Sequence, residues 1–416
     1  MNVVPTIPFV PPDLDGRRRL AFTGDGGAFL RLLIRGNLLL IPTLGFYRFW
    51  LVTDVRRHLW SHTRIGADSF EYTGTPRELL VGFLIALAIL APLYVAYFIL
   101  GLLAEEWRAF ASVPLVLLLY VFGQYATFRA RRYRLTRTAF RGVRFWMTGS
   151  AWSYAGRAAL WDGLTLLTLG LAYPWRTAAL ERYKMRHTRF GDLHGGFDGR
   201  GFVLFQRGFP LWLAALGVPL AIAGVAAFRL AGAIAAGLEW EEVGEAVGFG
   251  PLFAGLGWLF VAPFLFPLFQ AILIRWTLDG LRFGSVEADS DLRKGRVYRL
   301  YALMVLVMSG FSVAGSGAIG IIVAMGADSF GILGQGLAAL TPKTVTVMVL
   351  LTLAYLAFLL GFGVIRQVFL GRGLWAAVVG SVSLANLSAA DRVTAEGAPA
   401  SSVGEGLADA LDVGAF

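Results

Sequence analysis

Six runs of residues, about 79–103, 110–128, 209–237, 247–274, 301–325 and 344–365, are long and apolar enough to cross a lipid bilayer. The hydrocarbon core is about 30 Å thick, and ~20 apolar residues in an α-helix span it. Only 15% of the chain is charged and its mean hydropathy is +0.65, whereas a soluble domain carries about 25% charged residues. A membrane β-barrel would instead show alternating segments of roughly ten residues, and the chain has none. The class is therefore a polytopic α-helical membrane protein.

The runs group into three hairpins. Their short connections are poor in Lys and Arg and hold Glu105, Glu106 and Arg108, then Glu239, Glu241, Glu242 and Glu245, then Asp328 and Lys343. The segments between hairpins are the reverse. Residues 129–157 carry eight arginines and no acid, 176–207 carry seven Lys or Arg, and 275–299 carry six. Cytoplasmic loops are enriched in Lys and Arg, so the basic segments and both termini are expected in the cytoplasm. The net charge of +10 follows from that topology, and nucleic acid is not an expected partner. There is no cysteine, which excludes disulfides and thiolate metal sites. Residues 1–20 and 390–416 read as flexible tails.

Two further apolar stretches, NLLLIPTLGFYRFW (37–50) and DGLTLLTLGLAYPW (162–175), lie between basic flanks. A segment with both ends inside cannot cross once. Pro42, Gly45 and the short uninterrupted core predict a bent element at the inner interface. The rival reading is eight full spans, which would place a strongly basic segment outside. The two copies align without a gap over 22–66 and 147–191, pairing Thr43-Leu44-Gly45 with Thr168-Leu169-Gly170, Trp50 with Trp175, and His62-Thr63-Arg64 with His187-Thr188-Arg189. Such ordered self-similarity indicates duplication. The chain accordingly divides into a first repeat (21–128), a second (129–274) and a third basic linker with its hairpin (275–389).

A smaller unit recurs inside these. RRHLWSHTRIGADSFEYTG (56–74) is similar to RRYRLTRTAFRGVRFWMTG (131–149). Each ends a basic helix before two β-rich pieces around a glycine-containing turn, which predicts small cytoplasmic β-hairpins. The expected fold is thus an all-α polytopic membrane protein of internally duplicated helical hairpins, with small cytoplasmic β-hairpins between them.

NLLLIPTLGFYRFW, RRHLWSHTRIGADSFEYTGT and TLGLAYPW with ERYKMRHTRFG resemble the YjgN-like family of bacterial inner-membrane proteins, a domain of unknown function. The resemblance covers most of the chain and implies an inner-membrane location. It carries over no catalytic residues.

Candidate chemistry is sparse. His58 and His62 have helical i,i+4 spacing, but Tyr183 replaces His58 in the second copy and no carboxylate completes a metal set. GSGAIG (315–320) satisfies the dinucleotide pattern, yet it sits within an apolar run with no preceding strand. No nucleophile–base, metal or cofactor constellation is found, so an enzyme is not the expected reading. His62, Arg64, His187 and Arg189 are the candidates for contact with an anionic lipid or ligand, because a guanidinium forks onto phosphate or carboxylate. Asn37 and its counterpart Asp162 are candidates for a polar path, since ionisable groups in membrane segments mark transport. The expected function is a non-enzymatic membrane scaffold or regulatory protein that presents a basic cytoplasmic layer to lipid head groups; the alternative is a channel or transporter with a path near Asp162 and Asn37. The sequence names no protein partner.

Overall fold

A computed structural model describes residues 17–103, 108–326 and 341–397. The carboxylates Glu105, Glu106 and Asp328, and most of the two expected tails, lie outside the described residues. The strands are β1 (Arg18–Phe22), β2 (Thr63–Ile65), β3 (Asp68–Tyr72), β4 (Thr138–Phe140), β5 (Val143–Met147), β6 (Thr188–Phe190), β7 (Leu193–Phe197), β8 (Leu281–Phe283), β9 (Val286–Ser290) and β10 (Val382–Ala385). They form a closed antiparallel barrel in the order β1-β10-β9-β8-β7-β6-β5-β4-β3-β2.

This corrects the all-α expectation with separate hairpins. A hairpin of one three-residue and one five-residue strand leaves both edges unpaired, and an isolated pair is barely stable in water. Side-by-side pairing of the hairpins satisfies each edge, and closure removes the last two. Within hairpins, Ile65 pairs Asp68, Phe140 pairs Val143, Phe190 pairs Leu193 and Phe283 pairs Val286. The intervening two-residue turns place Gly66, Arg141, Gly191 and Gly284 at positive φ, as the twist of a tight hairpin requires. Between hairpins one register recurs: Tyr72 opposite Thr138, Met147 opposite Thr188 and Phe197 opposite Leu281. Phe22 opposite Thr63 continues it. The fifth hairpin is split between the ends of the described chain, with β10 supplying the short strand and β1 the long one, joined at Arg19 and Ser383.

Side chains alternate across each strand. Leu20, Ile65, Phe70, Phe140, Phe145, Phe190, Phe283 and Leu384 pack inside, while Arg64, Arg144, Arg189 and Arg282 fall on the opposite face. A 3-10 turn, Leu387–Arg392, covers the end of the barrel where the hairpin turns lie. There Leu387, Ala390 and Val393 join the internal cluster. Arg141 pairs with Asp68 and Asp391, the Thr394 amide donates to Asp192 (3.2 Å), and Asn386 donates to the Ser285 carbonyl (3.1 Å).

The helices meet the opposite rim. They are α1 (Gly26–Leu40), α2 (Arg48–Ser61), α3 (Pro76–Leu103), α4 (Arg108–Thr136), α5 (Ala151–Leu167), α6 (Tyr173–Arg186), α7 (Gly201–Trp212), α8 (Val218–Ala235), α9 (Trp240–Val247), α10 (Gly250–Val261), α11 (Phe266–Asp279), α12 (Lys294–Met325), α13 (Pro342–Arg366) and α14 (Trp375–Val379). Six continuous helical segments are long and apolar enough to span: 76–99, 113–136, 201–235, 250–279, 294–325 and 342–379. In their most apolar stretches at most 17% of residues are buried within the protein, which suits contact with lipid chains. Of the glycines in GSGAIG, Gly315 allows the close approach of Phe358 on α13, whereas Gly317 and Gly320 face open space.

The α1–α2 and α5–α6 pairs are helical hairpins with both ends at the barrel. At ~1.5 Å per residue, α1 and α5 are about 22 and 26 Å long, short of a ~30 Å hydrocarbon core. Their turns share one geometry. Leu44 and Leu169 both have φ 49°, and Gly45 and Gly170 have φ 87° and 88°. Thr43 and Thr168 each donate to a carbonyl four residues earlier (2.6 and 2.8 Å), and each accepts from an amide four residues later (3.2 and 3.1 Å). The tips expose Leu44, Leu166 and Leu167 by 89%, 78% and 84%.

Candidate functional site

His62-Thr63-Arg64 and His187-Thr188-Arg189 take the same local form. Each sits where a helix ends and a short strand begins. His62 and His187 donate from Nδ1 to the carbonyls of His58 and Tyr183, both at 2.7 Å. Thr63 and Thr188 donate back to Leu59 and Lys184 carbonyls at 2.8 and 2.9 Å. The arginines point out from the barrel wall, and Arg189 lies 5.0 Å from the Trp146 ring centre on the neighbouring strand. Arg64 is on β2 and Arg189 on β6, with β3, β4 and β5 between them, so the two motifs form two places and not one.

His187 belongs to a polar groove of about 720 Å³ on the α5–α6 hairpin, with Ser150, Ser153, Arg157, Trp161, Arg182 and Arg186. Among the described residues three guanidiniums and no carboxylate line it. Arg157 sits 4.5 Å from the Tyr183 ring centre, and Arg182 donates to the Gly199 carbonyl at 3.1 Å. Ser150 caps α5 by accepting from the Ser153 amide (3.3 Å), so the positive end of that helix dipole also faces this region.

Asp162 and Asn37 are not brought together. Asp162 accepts from Tyr120 of α4 and from Arg176 of α6, the latter at 2.9 Å from Nη2. It locks α4, α5 and α6 to one another. The Asn37 side chain donates to the Leu33 carbonyl at 2.8 Å and lines a different cavity, to which Asp162 does not contribute.

That cavity is a vestibule of about 540 Å³ at the helix rim of the barrel. Arg56, Arg131, Arg134 and Arg366 supply its cations, with Gln367, Asn37 and aliphatic residues of α1 and α2. Arg56 donates to the Tyr72 hydroxyl at 3.1 Å. Behind the vestibule wall, Arg131 lies 3.8 Å from Glu181, which also pairs with Lys184. Burial alone would push the Glu181 carboxyl up, but the Lys184 and Arg131 charges hold it below its usual value. Burial pulls the Lys184 ammonium down, and the adjacent Glu181 only partly offsets this.

Beyond the vestibule lies the barrel lumen, about 410 Å³ and lined almost wholly by apolar side chains. Trp60, Leu135, Thr138 and Trp375 line both spaces. Trp60 stacks on Trp375 with ring centres 4.7 Å apart. Their indole N–H groups donate to Thr138 and Thr63, each at 3.0 Å. Sequence reading did not single out Trp60, Trp375 or the vestibule arginines. The one available signal was the paired Arg56 and Arg131 in the two copies of the smaller repeated unit, 56–74 and 131–149.

Six spanning helices mounted on a closed barrel make this a multi-pass membrane protein of a distinct architecture. The chain belongs to the family described as bacterial protein of unknown function (DUF898), whose model matches residues 17–410, in agreement with the resemblance of its TLG and His-Thr-Arg motifs. No curated protein and no solved structure matches the chain.

Proposed function

We propose that the protein is a non-enzymatic scaffold or regulatory protein of the bacterial inner membrane, with its barrel in the cytoplasm, that engages anionic phospholipid head groups. The observation that carries this reading is the α5–α6 groove, where Arg157, Arg182, Arg186 and His187 converge with no lining carboxylate among the described residues. The hairpin's apolar tip, with Leu166 and Leu167 largely exposed, dips into the inner leaflet in this arrangement. The groove nearer the barrel then falls at head-group depth, where Trp161 is also at home. The basic segments attached to the barrel support the cytoplasmic orientation, and the matched TLG turns support an origin by duplication.

The test is lipid retention. The full-length protein, extracted from membranes of mixed composition, is expected to keep phosphatidylglycerol over phosphatidylcholine, and Arg157→Gln with Arg186→Gln should abolish the preference. Equal retention of both lipids by the unaltered protein would sink the proposal.

The transport alternative draws on Asn37 at the vestibule wall. It expects Asn37→Ala to change ion or solute flux in liposomes; unchanged flux removes its support.

A further inference from the structure

The lumen and vestibule form a paired space whose two halves have opposite chemistry. The lumen is a blind apolar pocket. At the turn end the 387–392 plug packs Leu387 and Ala390 into it, so its way in is at the helix rim, past Trp60 and Trp375. Phe140, Phe190 and Phe283 of neighbouring hairpins, together with Leu193 and Val286, form part of its wall. A barrel of eight strands is just filled by its own side chains, and ten strands enclose more space. The remaining 410 Å³ is large for a vacant apolar space, since ~150 Å³ of such cavity accepts one benzene. By that measure the lumen takes on the order of a dozen carbon atoms. That is one acyl chain and not two.

At the mouth the chemistry inverts. Arg56, Arg131, Arg134 and Arg366 line the vestibule, and among the described residues no carboxylate lines it with them. Arg366 is exposed and makes no ion pair among the described residues. Glu181 behind the wall already pairs with Arg131 at 3.8 Å, and guanidiniums gathered beside a low-dielectric wall still favour an anion placed among them. The membrane is the natural source of such a molecule, because the open end of the lumen faces the helices.

We propose that the barrel binds a single-chain anionic amphiphile, its tail in the lumen and its carboxylate or phosphate among Arg56, Arg131, Arg134 and Arg366, with the Trp60–Trp375 stack as the gate between them. Fatty carboxylates and lysophospholipids share this chemistry. Trp60 and Trp375 keep their N–H groups bonded to Thr138 and Thr63, so a methylene chain passing the stack need not strip a polar group.

The experiment uses the full-length protein in phosphatidylcholine nanodiscs with palmitate carrying a diazirine at its methyl end. Irradiation is expected to place adducts on lumen residues such as Phe140, Phe190, Leu193 or Val286, and unlabelled amphiphile in excess should remove them. Displacement by palmitate but not by lysophosphatidylglycerol confines the site to carboxylates, and displacement by both extends it to phosphates; displacement by neither overturns the proposal. Arg134→Gln with Arg366→Gln should lower the adduct yield about tenfold, the order expected for losing a charge-assisted hydrogen bond. The matching diazirine hexadecanol should label the lumen far less than palmitate. Adducts confined to the lipid-facing spans, or equal labelling by the alcohol, would overturn it. Ala288→Phe, which fills the lumen, should abolish the adducts; competition in the unaltered protein decides the matter even if that variant fails to fold.

Discussion

Trp60, at the end of α2, stacks on Trp375, the first residue of α14, with ring centres 4.7 Å apart and planes inclined by 29°. The contact ties the N-terminal helical hairpin to the last helix before β10, and so holds together the half of the barrel closed by the split fifth hairpin. Trp375→Ala should cost about 3 kcal/mol, the usual scale for a large aromatic truncated in a packed site. Trp375→Phe keeps a ring and loses the bond to Thr63 (3.0 Å), which should cost about 1 kcal/mol. Thermal unfolding of the purified protein is expected to rank Trp375→Ala well below Trp375→Phe; equal loss would deny the stack any part.

The two TLG turns should respond alike. Gly45 and Gly170 have φ 87° and 88°, a region that side chains enter at a cost of roughly 1–3 kcal/mol. Gly45→Ala and Gly170→Ala should each lower the melting temperature by similar amounts. A large effect at one position and none at the other would mean that the turns differ in load.

Glu181 stands between Arg131 and Lys184, and its side chain is 14% exposed. Glu181→Gln leaves two cations facing each other in a largely buried place, at a cost of about 3 kcal/mol. Lys184→Met in the same chain should restore part of the loss. Melting curves of the single and double variants check this, and no recovery in the double would count against the pairing.

His58 supplies a pH dependence. Burial depresses its pKa below 6.5, the nearby His62 and Arg372 charges add to this, and Asp25 opposes them. A depressed histidine binds fewer protons folded than unfolded, so stability is present above pH 6.5 and falls as pH drops through the folded value. The melting temperature should therefore decline on acidification from pH 7.5 to pH 5.5, and His58→Gln should flatten the decline. An identical profile in the variant would assign the effect to other groups.

Topology can be read by labelling, because the chain has no cysteine. Arg144→Cys, on the exposed barrel wall, should react with an impermeant maleimide only in inside-out vesicles. Leu44→Cys, at a hairpin tip, should resist labelling from either side. Reaction of Arg144→Cys in intact cells would place the barrel outside.

Sequence alone determined the features that depend on local chemistry. The six spans follow from hydropathy, the basic character of the barrel-side segments from charge placement, and the two bent elements from the shared Thr-Leu-Gly of 43–45 and 168–170, with Pro42 in the first copy alone. The β-rich pieces around Gly66 and Arg141-Gly142 were legible because a two-residue hairpin needs positive φ. What the tertiary structure decided is the closure. VSLA (382–385) and RRLAF (18–22) have no turn between them, and neither reads as half of a hairpin. They become one only because β2 and β9 would otherwise present bare edges in the same ring. The lumen, its plug and the Trp60–Trp375 neck follow from that closure, and the vestibule arginines converge only once α2, α4 and α13 are set around one cavity at the rim. Hydropathy and φ preference are properties of a few adjacent residues, whereas strand pairing is a property of the whole ring.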